Sequence, residues 1–450
     1  MIVMKFGGTS VQDAVCMDQA LDIVLDKIDQ QPIVISSAMA KMTDSLIALG
    51  NLAKEGNREQ AAASIKAMVE RHKDAANHFL TGSNLEKCLE QLTALGEELR
   101  SSVKGLCILK QCNMKALDSI LSFGELLSTT ILAFRIKERG FDSTWLDSRK
   151  LVKTDSNYGS ANVNFEQTNR AIQESIVAKK NHVYVAQGFI GSTACCEEEK
   201  DITTTLGRGG SDYSAAIFGA AIDAKEIQIW TDVNGIMTTD PRIVPTAKTI
   251  EKITYEEAAE LAFFGAKVVH PATIQPAIGK NIPVTVLNTK DAKGPYTTIG
   301  SEKIKMGLKA IAGKKNITLI NINSSRMFNA YGFLSRIFSI FEKYKTSVDL
   351  ISTSEVSVSL TIDNTLNLTP IVEELEKIAT VKVEYDKSIL CMVGQDLWRD
   401  PQLISRAFRQ LTQIPIRMIS LGSSDTNLSF VLPGEKLNEA IKEIHSEFFN

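Results

Sequence analysis

Thr203-Thr-Thr-Leu-Gly-Arg-Gly-Gly-Ser-Asp212 sets three hydroxyls, an arginine between glycines and an acid ahead of an alanine-rich apolar run over 213–222. The pattern predicts a strand, a tight turn and a helix, with an anion held in the turn. Gly207, Gly209 and Gly210 permit positive φ and a close backbone approach. Ser211 reads as the helix N-cap. The free N–H groups and the dipole of the following helix favour negative charge at that point. Arg208 adds a planar fork suited to a carboxylate or phosphate. The same residues also fit a plain glycine-rich turn, so the surrounding chain has to decide.

Working outward, Val183-Tyr-Val-Ala-Gln-Gly-Phe-Ile-Gly191 reads as a central strand entering a glycine turn, and 192–201 as an acidic, exposed loop. Glu226-Ile-Gln-Ile-Trp-Thr-Asp-Val233 is a strand ending in polar groups before an Asn234-Gly235 turn. Residues 255–264 read as a helix with Glu256, Glu257 and Glu260 in its early turns. Gly265-Ala-Lys-Val-Val-His-Pro271 then places Lys267 behind a glycine.

At the other end, Ile2-Val-Met-Lys-Phe6 is a strand running into Gly7-Gly-Thr-Ser10 and a helix. Lys5 therefore stands at the carboxyl edge of a strand, where open α/β sheets bind ligands. A second strand, 32–37, enters the small-residue turn Ala38-Met-Ala-Lys-Met-Thr43. Residues 43–134 read as helical, with breaks near Gly56 and Gly82. Glu125 lies among apolar neighbours in Ser122-Phe-Gly-Glu-Leu-Leu-Ser128; alone it reads as a surface glutamate. Strands alternating with helices to about residue 295 predict an α/β domain with a mostly parallel sheet between helices.

Near Thr298 the elements shorten and a repeat appears: Phe333-Leu-Ser-Arg-Ile-Phe338 is echoed by Leu403-Ile-Ser-Arg-Ala-Phe408. Each copy sits in a βαββα pattern, with strands expected at 317–322 and 389–393 and one more at 381–385. The reading is two α+β modules of the ferredoxin-like kind. The expected domains are 1–297 and 298–450, the latter holding one module at about 323–387 and a second at about 306–322 plus 388–450.

A chain of 450 residues exceeds a single core. Its net charge of −3 gives no general attraction to nucleic acid or to an anionic membrane. No apolar run reads as long enough to cross a bilayer, and Met1-Ile-Val-Met-Lys5 reads as a strand rather than a leader, so a cytoplasmic location is expected. Seven cysteines, with no Cys-x-x-Cys spacing, suggest neither a disulfide framework nor a zinc site, and no protein-held metal is expected. The P-loop, the His-Arg-Asp kinase loop, the Gly-x-Gly-x-x-Gly fingerprint and the Gly-x-Ser-x-Gly elbow are all missing. What remains is Lys5 and Lys267 with glycine turns and helix N-termini, which suit a triphosphate and its magnesium. Arg208 and Glu125, opposite in charge, suit the carboxylate and ammonium of an amino acid. These residues point to a small-molecule kinase with a regulatory tail.

Lys5-Phe-Gly-Gly-Thr-Ser10, the 203–212 stretch, Trp230-Thr-Asp-Val-Asn-Gly-Ile236, Thr239-Asp-Pro-Arg242 and Phe264-Gly-Ala-Lys-Val-Val-His-Pro271 together resemble the aspartokinases. The resemblance spans the chain and implies an amino-acid-kinase fold followed by two ACT domains. It implies ATP- and Mg2+-dependent phosphorylation of the side-chain carboxylate of L-aspartate, the first step towards lysine, diaminopimelate, threonine and methionine. Lys5 and Lys267 would neutralise the phosphates, and Asp212 would orient substrate or lysine. Ser37, Thr43, Glu125 and Arg208 would hold the substrate. Gly7, Gly8, Thr231, Asp232, Met237 and Arg242 would join the two lysines around the nucleotide.

Ser347-Val-Asp-Leu-Ile-Ser-Thr-Ser-Glu355 and the layout are most similar to the lysine-sensitive, monofunctional class. An L-lysine site would use Met327, Ala330, Ser347, Val348, Asp349, Thr353, Ser354 and Glu355. Ala330 stands where relatives often have a serine; one lost hydrogen bond would weaken lysine by about 0.5–1.5 kcal/mol. Met237 stands where many relatives carry a tyrosine. The resemblance also implies a homodimer through the ACT domains, with a tetramer as the alternative. The competing readings are a non-catalytic amino-acid sensor and another acid kinase of the same fold.

Overall fold

β1 (Ile2–Phe6) is buried at every residue, the pattern of a strand covered on both faces. It belongs to a computed structural model that describes residues 1–194, 201–265, 271–302, 306–327, 331–422 and 424–449. The chain divides into two units, Met1–Ile236 with Val269–Ser301, and Met237–Val268 with Glu302–Asn450.

In the first unit β1 leads to α1 (Ala14–Leu25), β2 (Pro32–Ser36), α2 (Met42–Glu55), α3 (Arg58–Phe79), α4 (Gly82–Leu109), α5 (Met114–Glu138) and β3 (Asp142–Leu146). Next come α6 (Ser148–Leu151), β4 (Lys153–Thr154), α7 (Phe165–Ser175), β5 (His182–Gln187), β6 (Ile190–Thr193), β7 (Thr203–Thr205), α8 (Gly210–Ala221) and β8 (Ile227–Thr231). β9 (Lys252–Thr254) and α9 (Tyr255–Phe263) belong to the second unit; α10 (Gln275–Gly279), β10 (Val284–Asn288) and β11 (Thr297–Gly300) complete the first. The strands of the first unit order as β3-β5-β2-β1-β8-β10-β11. Each neighbouring pair is parallel except β10 with β11. The carboxyl ends of β1 and β2 therefore open on one edge, and the glycine turn after β1 lies beside the small-residue turn after β2. A smaller sheet, β4-β6-β7, carries the run of three threonines.

The expected helical excursion resolves into α2 to α5. Asn57 caps α3 by accepting the Gln60 N–H, and Asn113 caps α5 by accepting the Ala116 N–H. α5 corrects the expectation about membrane spans. By length and composition alone this 25-residue helix could cross a bilayer, but 89% of its most apolar stretch is buried inside the protein. It is a core helix: from Ile120 to Phe134 every residue is buried, so neighbours cover every face.

The second unit continues with β12 (Gly307–Asn323), α11 (Phe333–Lys343), β13 (Ile351–Thr353), β14 (Ser357–Ile362), α12 (Leu368–Glu376), β15 (Thr380–Gln395), α13 (Pro401–Gln410), β16 (Met418–Leu421), β17 (Asn427–Pro433) and α14 (Leu437–Phe449). They build one antiparallel sheet ordered β13-β14-β12-β15-β17-β16. The strands expected separately at 317–322, 381–385 and 389–393 are parts of the two long strands β12 and β15. These pair along their whole length, with register shifts near Lys314 and Ile317 where the halves meet. Each half has its own core. Phe333, Ile337 and Phe341 of α11, spaced four apart, pack with Ile320, Leu360 and Leu375. Leu403 and Ala407 of α13 pack with Leu390, Phe430 and Ile441.

Residues 237–268 were expected in the first domain but group with the second unit. The reason is local bonding: Ile311 N–H donates to Thr238 O at 2.7 Å, Thr238 Oγ1 meets His445 Nε2 at 2.9 Å, and Val244 joins the α13–α14 core. α9 starts in that segment with a full capping box between Thr254 and Glu257.

Candidate active site

Lys5 reaches across the sheet edge to α8. Its Nζ lies 2.6 Å from Asp212 Oδ1, with side chains only 11% and 15% exposed. The contact is an ion pair without an aligned hydrogen bond at Asp212 Oδ1. Asp212 stands in the first turn of α8, where the helix dipole favours an acid. The residue ahead of that helix is Gly209 at φ 73°, not Ser211, which corrects the expected cap. Ser211 instead lies inside the first turn and accepts a hydrogen bond from Ser37 Oγ at 2.9 Å, tying α8 to the end of β2.

The two turns at the sheet edge touch directly. Ala40 N–H donates to Gly8 O at 3.1 Å, and a Cβ on Gly8 would fall 2.9 Å from Ala38 O. Any larger residue there would push the turns apart. Arg71 clamps the same pair from outside, with Nη1 on Ala40 O and Nη2 on Gln12 O, each at 2.9 Å. Only the folded chain reveals this role for Arg71.

Beneath the turns lies a cavity of about 330 Å³, whose wall includes Lys5, Gly8, Ser37, Thr43, Glu125 and Asp212. Glu125 is the least expected member, since it is only 4% exposed. Its Oε1 accepts the Ala38 N–H at 3.2 Å. Burial pushes its carboxyl up to about 8, against a smaller downward pull from that N–H. A buried carboxyl facing a cavity suits an incoming ammonium, which would supply the charge that desolvation withholds.

Other expected residues lie elsewhere. Arg208 is exposed and outside the cavity wall, although Gly207 and Gly209 on either side belong to it. Gly7 borders Lys5, with the place of a Cβ 3.5 Å from Lys5 Nζ. Thr231 and Asp232 line a separate small cleft with Thr9, Ser10, Thr289 and Lys290, closed by the 2.7 Å bond between Ser10 Oγ and Thr289 Oγ1. Met237 and Arg242 belong to the second unit, where Arg242 pairs with Asp240 at 2.7 Å. Lys267 lies outside the described residues, as does Ala330. Lys41, which the motifs did not single out, joins the cavity wall from a left-handed backbone at φ 66°. A strained lysine leaves no local sequence signal.

In the second unit, Asp349 Oδ1 pairs with Lys314 Nζ at 2.8 Å, and the same ammonium meets Asp363 at 2.8 Å. Burial pushes the Asp349 carboxyl above the usual range although Lys314 pulls it down. Ser347, Thr353, Ser354 and Glu355 are exposed nearby in sequence; Val348 and Met327 are half-buried against the α11 core.

Comparison with known proteins decides the family. Residues 1–288 match the amino acid kinase family, and residues 390–448 match the ACT domain. The lysine-sensitive aspartokinase 3 of Escherichia coli (strain K12) is 36% identical over 462 residues, covering 100% of this chain and 99% of the relative. The chain belongs to the aspartokinase family. The chloroplastic aspartokinase 3 of Arabidopsis thaliana is 35% identical, over 99% of this chain and 81% of that protein. The crystal structure of E. coli aspartokinase III with aspartate and ADP in its R-state superposes at a TM-score of 0.83, with 35% identity and full coverage of both chains. The same enzyme with lysine and aspartate in its T-state gives 0.81 at 34% identity. This aspartokinase accordingly has the amino acid kinase fold followed by an ACT region, and it is an aspartate kinase.

Proposed function

We propose that the enzyme transfers the γ-phosphoryl group of ATP to the side-chain carboxylate of L-aspartate, giving 4-phospho-L-aspartate and ADP. The observation that carries this reading is the cavity that sets the buried Glu125 beside the Lys5–Asp212 pair. Glu125 takes the substrate ammonium and Arg208 the α-carboxylate, while Ser37 in the turn after β2 and Thr43 in the first turn of α2 face the substrate. Lys5 neutralises charge on the transferred group, and Asp212 holds Lys5 in place. The nucleophile is a carboxylate already ionised at neutral pH, so positioning and charge neutralisation do most of the work. Thr231 and Asp232 in their small cleft, and Gly7 and Gly8 in the turn after β1, serve the nucleotide. A magnesium ion that enters with the phosphates would be held by them, since Asp212 Oδ1 already lies 2.6 Å from the Lys5 ammonium; such an ion would supply further charge neutralisation when bound. The test is ADP release across amino acids: turnover on L-aspartate well above L-glutamate and N-acetyl-L-glutamate is expected. Equal or reversed preference contradicts the reading.

L-lysine is the proposed inhibitor, and the reaction the first step of a cytoplasmic route to lysine or diaminopimelate, threonine and methionine. Asp349, its side chain 3% exposed, pairs with Lys314 through Oδ1, while its buried Oδ2 has no hydrogen-bond partner and is left for the ammonium of a ligand. Asp349→Asn keeps the shape and removes the charge. It is expected to raise the lysine concentration for half inhibition by about tenfold or more, measured against the turnover of the same variant without lysine. Unchanged inhibition removes Asp349 from the effector site. β13 is exposed at all three residues on an edge of its sheet, which supports pairing of two copies there. Light scattering that shows a single chain of 49.4 kDa with and without lysine contradicts the homodimer.

A further inference from the structure

Asp118 lies in α5 seven residues before Glu125, so the two side chains leave nearly the same face about 10 Å apart along the axis. No part of Asp118 reaches solvent, and it does not belong to the cavity wall. Its carboxylate is nonetheless fully engaged. Oδ2 accepts the N–H of Thr205 and the N–H of Gly159, each at 2.9 Å, and Oδ1 accepts the Thr205 hydroxyl at 2.8 Å. A buried carboxylate with three donors is a fixed anchor, because leaving any of those groups unpaired costs a desolvation penalty.

What it anchors is the segment that carries Arg208. Thr205 ends β7, and Leu206-Gly207-Arg208 follows directly. The strip around Gly159 lies alongside, with Ala161 N–H donating to Thr205 O at 2.9 Å, and Leu206 N–H reaches Phe189 O at 2.9 Å. Asp118 thus joins two neighbouring pieces of backbone at the root of the Arg208 turn to the helix that bears Glu125. Arg208 itself is exposed and gets its position from the backbone that leads to it.

We propose that Asp118 is a positioning residue that holds the Arg208 turn at a set distance from Glu125, so that the two ends of the substrate's α-amino-acid group are met together. The inference rests on the reading of Glu125 and Arg208 as the ammonium and carboxylate anchors. It gives α5 two tasks: one face presents the ammonium partner, and the same face two turns earlier fixes the carboxylate partner.

The test is a double-mutant cycle between Asp118 and Arg208, read as the KM for aspartate and for ATP separately. Asp118→Ala is expected to raise the KM for aspartate by about 10- to 100-fold, since small misplacements at a binding clamp have effects of that size. The KM for ATP is expected to stay within about twofold, as for a variant that keeps uniform nucleotide binding. Asp118→Asn should restore most of the affinity: its amide oxygen can accept both N–H groups while its amide nitrogen donates to the Thr205 hydroxyl, which turns to accept.

In an Arg208→Ala background, Asp118→Ala should add little to the KM for aspartate. A folded Asp118→Ala enzyme with an unchanged KM, or a rise of equal size in both backgrounds, overturns the proposal. If Asp118→Ala does not fold, Thr205→Val replaces it in the cycle. That variant removes the hydroxyl donor alone and should still raise the KM for aspartate, and only when Arg208 is present; no rise, or the same rise without Arg208, overturns the proposal. Arg208→Ala by itself reports on the underlying reading, because a normal KM for aspartate in that single variant removes Arg208 as the carboxylate anchor whatever Asp118 does.

Discussion

Lys5→Ala is expected to lower kcat by about a thousandfold, the scale seen when a cation facing transferred phosphoryl charge is removed. The argument is geometric. Lys5 comes from a fully buried strand of the sheet, its stem is covered, and its ammonium is held against Asp212 at 2.6 Å inside the cavity. A cation fixed in a water-poor site needs no rearrangement as charge develops, so its contribution appears mainly in kcat and only weakly in the KM for aspartate. The substitution leaves Asp212 without its partner. Lys5→Ala/Asp212→Asn therefore serves as a control in which the orphaned charge is also gone, and it should be as inactive as the single variant. Steady-state ADP release and a thermal melt decide the matter: a folded Lys5→Ala enzyme with near-normal turnover removes this lysine from the chemistry.

The second large effect belongs to Glu125. Glu125→Gln is expected to cut kcat/KM for aspartate by about 30- to 1000-fold, the range for losing one partner of a desolvated charge pair. The pH dependence has a definite sign. In the free enzyme the carboxyl titrates at about 8, so below that pH it is mostly neutral and an arriving ammonium must displace its proton. For the wild type, kcat/KM for aspartate should climb with pH up to about 8, and the Glu125→Gln variant should lack that limb.

Linkage predicts the opposite sign for stability. The folded value of about 8 exceeds the ordinary 4.5, so the folded state binds the extra proton. The stability contribution of Glu125 is complete below the ordinary value and is lost as pH rises through the folded one. At pH 8 and above, Glu125→Gln should melt a few degrees higher than the wild type while turning over far less. A variant that is both less active and less stable at that pH would show that Glu125 is not a buried carboxyl kept for substrate.

How far these residues could be read in advance follows from their physics. Lys5 and the 203–212 stretch were legible because a strand, a glycine turn and a helix N-terminus leave a local composition that survives without tertiary information. The echo of Phe333–Phe338 in 403–408 exposed the duplicated modules for the same reason. Glu125 was only half legible. Its apolar neighbours were visible, but periodicity cannot report burial in a helix covered on all faces, and α5 is such a helix. The polar residues Asp118, Ser122, Glu125 and Ser128 interrupt its apolar run, which is why no membrane-length stretch was read there.

Asp118 had no signature at all, because its three donors come from segments about 40 and 90 residues away in sequence. The strands expected at 317–322 and 389–393 were placed correctly but cut short: the halves of β12 and β15 serve different cores, and the polar residues where the cores meet interrupt the apolar pattern. The 237–268 segment lies within the 1–288 match to the amino acid kinase family, yet it groups by contacts with the second unit because its partners, Ile311 and His445, lie far along the chain.

The most direct measurement is to run the enzyme with ATP, magnesium and L-aspartate in hydroxylamine and to identify the hydroxamate. An acyl phosphate on the side chain is trapped as the hydroxamate of the side-chain carboxylate, and the account predicts that product, formed in step with ADP and reduced when L-lysine is added. Hydroxamate on the α-carboxylate, or ADP release with no hydroxamate from folded enzyme, would contradict the assignment of Glu125 and Arg208 to the α-amino-acid end of the substrate and of Lys5 to the transferred group.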